Sequence, residues 1–143
     1  MSDPDLQRFV DAQDRGGTYE RALRELRAGQ KTSHWMWFVF PQRGGLGESE
    51  MSRAYAIGSA AEARAYLEHP VLGPRLVESA EALLAHSEKS AAEILGGIDA
   101  VKLRSSMTLF ADVAPENPVF RRVLDRFYAG VPDPAGSFAI GEP

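Results

Sequence analysis

Apolar residues recur along this chain at the three- and four-residue spacing of helices. Leu6, Phe9, Val10 and Gln13 mark one face and Tyr19, Ala22, Leu23 and Leu26 a second, which predicts two amphipathic helices at the start of the chain. Gly16-Gly17 separates them, and Gly29 is placed to cap the second, because glycine enters the left-handed conformation without strain. Ser59-x-x-Glu62 and Ser90-x-x-Glu93 have the spacing of capping boxes, in which a hydroxyl and a carboxylate satisfy backbone donors of a first turn. They predict helix starts near 59 and 90. Leu72, Leu76, Ala80, Leu83 and Leu84 form another stripe, and Leu103, Met107, Phe110 and Ala111 a further one that opens near Ile98-Asp99. Asn117-Pro118 supplies an N-cap and a first helical residue ahead of Phe120, Val123, Leu124, Phe127 and Tyr128, a stripe that ends at Gly130. The periodicities predict an all-α fold, compact and multihelical.

Residues 34–40 depart from this pattern, since both faces are apolar and the run has the length of a buried strand as well as of a helix. Helix is the expectation: no other segment alternates as a strand would, and a lone strand leaves its edges unpaired. The Gly-rich stretch 43–50 predicts a loop, and the tail from about 131 an extended or frayed end. At 143 residues the chain has the size of one domain, 1–143.

Composition narrows the function classes. With 44% hydrophobic and 25% charged residues the chain is neither disordered nor low in complexity. It has no cysteine, which excludes a disulfide framework and a thiolate metal site and makes the cytoplasm the default compartment. The acidic start Met1-Ser2-Asp3-Pro4-Asp5 lacks the regions of a signal peptide, and no apolar run approaches the ~18 residues of a membrane span. A net charge of −4, with basic residues scattered, argues against broad nucleic-acid binding but leaves room for a local Arg-lined anion pocket. The three histidines, at 34, 69 and 86, show no ligand spacing, so neither a metal nor a cofactor is expected.

Candidate chemistry concentrates in Ser33-His34-Trp35-Met36-Trp37-Phe38-Val39-Phe40-Pro41-Gln42, which holds both tryptophans and one of the three histidines. The polar groups in it need hydrogen-bond partners wherever they are buried. His34 reads either as a satisfied core histidine clamped among aromatic rings or as a proton-transfer group, although no carboxylate stands at helical spacing to orient it. Trp35 and Trp37 would lie about 200° apart on a helix, so both are core or one of them walls a cavity. After Gln42, the segment Gly44-Gly45-Leu46-Gly47-Glu48 either makes an anion nest of backbone N–H groups or is a tight connection. It lacks the Lys-Ser/Thr ending and the preceding strand of a P-loop. Ser49, Arg53 and Tyr55 could add a hydroxyl, a guanidinium and a phenol to the same mouth. Further on, Lys102, Ser105 and Ser106 could supply a base and a nucleophile, or be the ordinary polar face of a helix.

These residues resemble a known family, the bacterial and fungal proteins grouped as domain of unknown function 1810. The resemblance runs through Phe9-x-x-Ala12-Gln13, Leu23-x-x-Leu26-x-x-Gly29-x-Lys31, Ser33-His34-Trp35-Met36-Trp37-Phe38, Phe40-Pro41-Gln42, His69-Pro70-x-Leu72-Gly73 and Lys102-Leu103-x-Ser105-Ser106-Met107. It covers nearly the whole chain, and Ser-His-Trp-x-Trp-Phe with Pro-Gln is its most specific part. It implies a small multihelical fold and carries no established reaction, so no catalytic residue is inherited from it. Some members bear the label calpastatin, but that inhibitor's regions are disordered whereas this chain is patterned for a packed core, and the label is discounted.

The expected site is a polar pocket between the 33–49 segment and the 102–108 helix, binding a small anionic or planar metabolite, nucleotide-derived compounds included. Its expected ligand-binding residues are His34, Trp35, Trp37, Gln42, Ser49, Arg53, Tyr55, Lys102 and Ser106. A tryptophan would stack, Lys102 or Arg53 would contact an anion with loop N–H groups, and Gln42 would recognise through its amide. Two rivals use the same residues differently. A hydrolase or transferase would take His34 or Lys102 as base and Ser105 or Ser106 as nucleophile within about 3 Å. A protein-interaction module would instead expose a contiguous aromatic patch.

Overall fold

Each stretch of helical periodicity becomes a helix in the computed structural model, which describes residues 5–45 and 49–138. The elements are α1 (Gln7–Asp14), α2 (Thr18–Ala28), α3 (Met36–Val39), α4 (Glu50–Ala54), α5 (Ala60–Glu68), α6 (Leu72–Leu84), α7 (Ala91–Leu95), α8 (Gly97–Val113) and α9 (Val119–Tyr128). No strand occurs among the described residues, and one isolated parallel bridge joins Arg43 to Ile57. The architecture is a compact single all-α domain.

Gly29 closes α2 in the left-handed conformation at φ 77°, with its N–H donating to Leu26 and that of Gln30 to Glu25. Ser90 and Glu93 complete a capping box at α7. At α5 the box is only half made. Ser59 Oγ accepts the Glu62 N–H, but the Glu62 carboxylate turns to the Gly58 N–H at 2.6 Å and to Arg8 of α1 at 3.2 Å. A partner 54 residues away has diverted it. At α9 Asn117 Oδ1 accepts the Val119 N–H, and Pro118 stands in the cap position, one residue before the helix.

The aromatic segment is helical only over the single turn α3. Trp35 lies before it, and Phe40 leaves the helical region at φ −126°, ψ 74°, where the following Pro41 disfavours a helical predecessor. Segment 43–50 runs irregularly into the short α4, with residues 46–48 outside the described part.

The core is organised around α8, which packs against α5, α7 and α9, while α6 packs against α2, α5 and α9. Around α8, Leu103, Ser105, Ser106, Met107, Thr108, Leu109 and Phe110 are all buried, so the single stripe read from the sequence and the polar face holding Ser105 and Ser106 are both corrected. Over residues 105–110 the helix is covered on every side, and its small hydroxyls fit where larger polar groups would not. Within the tail expected to be extended or frayed, residues 131–138 are tied to the rest of the domain. Arg104 donates to the carbonyls of Val131 and Pro132, Asp133 N–H donates to Thr108 Oγ1, and Arg43 donates to the Ser137 carbonyl. A 3-10 turn at Pro134–Gly136 lies so close to α8 that a Cβ on Gly136 would stand 2.6 Å from the Ser105 carbonyl oxygen.

Candidate functional site

The signature segment builds two unlike neighbourhoods. In the first, the Glu25 carboxylate receives the N–H groups of Thr32 and Ser33, the Ser33 hydroxyl and the Trp35 indole N–H, the last at 2.8 Å. Desolvation pushes this carboxyl up, but the donors from Ser33, Thr32 and Trp35 together outweigh it and hold the group at about 2. Trp35 is fully buried, with the Lys31 ammonium 5.1 Å from its ring centre. No buried side-chain polar atom of this corner is left without a partner. Trp35 is therefore core and not a ligand wall, a correction that follows from its indole being anchored on α2.

The second neighbourhood is open. Trp37 on α3, Gln42, the backbone of Gly44 and Gly45, Arg53 on α4, Tyr55 and Lys102 on α8 line a cavity of about 230 Å³. Lys102 Nζ stands 4.9 Å over the Trp37 ring and 3.7 Å from Asp99 Oδ1, while the other oxygen of Asp99 binds Lys31 at 2.9 Å. Two ammonium groups thus share one carboxylate and leave a net positive charge beside the cavity. Arg53 adds a guanidinium that makes no ion pair with any described residue. The Trp37 indole N–H is buried without a hydrogen-bond partner, as are the hydroxyls of Ser105 and Ser106. An unmatched buried donor costs about 1–3 kcal/mol, so the Trp37 N–H leaves unmet polarity in a residue that lines this cavity.

Five of the expected residues, Trp37, Gln42, Arg53, Tyr55 and Lys102, therefore meet in one cavity. The others do not. His34 is exposed ahead of α3, outside the cavity and not clamped among rings, because the helix begins two residues after it. Ser49 is exposed and caps α4 by accepting the Ser52 N–H. Ser106 is fully buried and lines neither this cavity nor the one beside it. Ser105 lines the adjoining cavity. Neither serine hydroxyl is bonded to Lys102 or His34, so the expected nucleophile and base are not paired. The anion nest is cut back as well: the Gly44 N–H donates to Ile57 O at 2.8 Å, and Leu46, Gly47 and Glu48 lie outside the described residues. Exposed large apolar side chains among the described residues are Met51, Ile98, Val101 and Val131, none of them aromatic.

Sequence reasoning missed Arg43, Ser52 and Asp99. The Asp99-x-x-Lys102 spacing was a usable signal for the last, since such pairs meet on a helix. Nothing local announces Lys31 as its second partner. Among the described residues no group of His, Asp and Glu is arranged to hold a metal ion, and no helix is long and apolar enough to cross a membrane.

Fold and groove together define a small multihelical domain whose aromatic signature is divided between a sealed corner and a cation-rimmed cavity. The chain belongs to the family described as protein of unknown function DUF1810, whose model matches residues 3–139. It is similar to the crystal structure of the conserved hypothetical protein Rv1873 from Mycobacterium tuberculosis, at 48% identity over 91% of each chain and a TM-score of 0.87. No curated protein matches it.

Proposed function

We propose that this is a cytoplasmic ligand-binding domain whose Trp37–Arg53–Lys102 cavity takes a small anionic metabolite. The carrying observation is Lys102: it lines the cavity, lies over Trp37, and shares with Lys31 the one carboxylate it pairs with among the described residues. An ammonium held this way is partly desolvated and short of counter-charge, which favours an incoming carboxylate or phosphate. Arg53 reinforces the same sign, and Trp37, whose buried N–H has no partner, lines the same cavity. Binding fits the geometry better than catalysis, because Ser105 and Ser106 lack a base within hydrogen-bond reach.

Thermal unfolding with sugar phosphates, nucleotides and dinucleotides, for the parent and for Lys102→Gln, tests this reading. At 100 times its dissociation constant a true ligand stabilises the parent by ~2.7 kcal/mol and the variant much less. A panel that stabilises neither protein, or stabilises both equally, overturns it.

A further inference from the structure

We infer that the ligand of this groove is an amphiphilic anion, with a carboxylate or phosphate head between Arg53 and Lys102 and an aliphatic tail laid on Ile98 and Val101. The inference rests on the anion-binding reading and adds the other half of the molecule. A second cavity, about 420 Å³, adjoins the first and shares Gln42, Ser52 and Lys102 with it. Its apolar wall is Ile98 and Val101, which are 77% and 66% exposed and one turn apart on α8. Single exposed aliphatics are ordinary, but this pair stands beside a charged cavity and offers a shelf for a hydrocarbon chain.

The polarity of the trough fixes which end is which. Asp133 lines the second cavity and repels an anionic head there, while Arg53 lines only the first. Between them Gln42 and Ser52 can meet an ester or amide linkage, and Ser105, buried and without a partner, lines the aliphatic side one turn beyond Val101. A flat aromatic ligand fits less well, because Lys102 already covers one face of Trp37 and such a ligand would leave Ile98 and Val101 in water.

Calorimetric titration of the full chain with acetate, butyrate, hexanoate and octanoate, and with the matching monoalkyl phosphates, tests the assignment; the better series identifies the head. Affinity should rise about two- to fourfold per methylene from butyrate to octanoate as the chain is buried. In the double variant Ile98→Ser, Val101→Ser the rise should flatten while acetate or ethyl phosphate, too short to reach the shelf, binds as before. Lys102→Gln should weaken every member by a similar factor and keep the slope. Short anions that bind with no dependence on chain length overturn this inference and leave the anion site standing. A slope that survives the double variant overturns the placement of the tail, and failure of every member of both series overturns this inference, while the sugar-phosphate and nucleotide panel decides the anion site separately.

Discussion

Trp35 and Trp37 stand two residues apart, each has a lysine over its ring, and the two lysines meet at Asp99. Their surroundings nevertheless diverge. Around Trp35 the indole N–H, the Ser33 hydroxyl and two backbone donors all end on Glu25, and no space is left. Around Trp37 the indole N–H finds no partner, the ring is half-buried, and a cavity opens beside it. A matched polar network fixes a segment, whereas an unmatched one holds stabilisation in reserve for whatever completes it. In this molecule the first makes the scaffold that positions the second, with Asp99 joining them.

Breaking the two corners in turn should expose this contrast most strongly. Trp35→Ala should destabilise the fold by about 3–5 kcal/mol, through loss of a fully buried ring and an orphaned Glu25, whereas Trp37→Ala should cost about 1 kcal/mol and remove anion binding. Denaturant unfolding of both variants beside a binding assay checks it; similar losses in the two would erase the distinction. Glu25→Gln should cost about 1–2 kcal/mol at neutral pH, once solvent screening is allowed for. Its folded value of about 2 lies below the ordinary 4.5 of a glutamate, so its stabilisation is complete above about pH 4.5 and is lost as pH falls toward 2. The acid limb of a stability profile should therefore flatten in the glutamine variant over that window, and an unchanged limb would show that Glu25 does not carry it. The smallest effect sharpens the open side. Ser105→Ala removes an unpartnered hydroxyl and improves helix propensity, so it should leave stability unchanged or raise it by up to about 1 kcal/mol. A loss above 1 kcal/mol would reveal a hydrogen bond that this serine makes in solution.

The helices were legible because their causes are local. Apolar spacing within two turns, Gly29 after α2 and the Ser90-Glu93 box each act over a few residues, and each stands in the structure as read. The five expected residues that line the cavity were legible too, because aromatics, an amide and cations stand out by residue type. Periodicity would put the two tryptophans on different sides of a helix but left open whether both are core or one walls a cavity. The choice depends on Glu25, ten residues before Trp35, which anchors its indole.

What the chain determined by itself is thus the helical inventory, the caps and a short roster of candidate side chains. Tertiary structure decided that Glu62 answers Arg8 rather than completing its own box, that Ser105 and Ser106 are buried rather than surface polar, that the tail docks on α8, and that Asp99 is divided between two lysines. The physical reason is one of range. Helix formation and capping are settled among residues three or four apart, while burial, ion pairing and cavity shape are settled by whichever distant segment arrives against them.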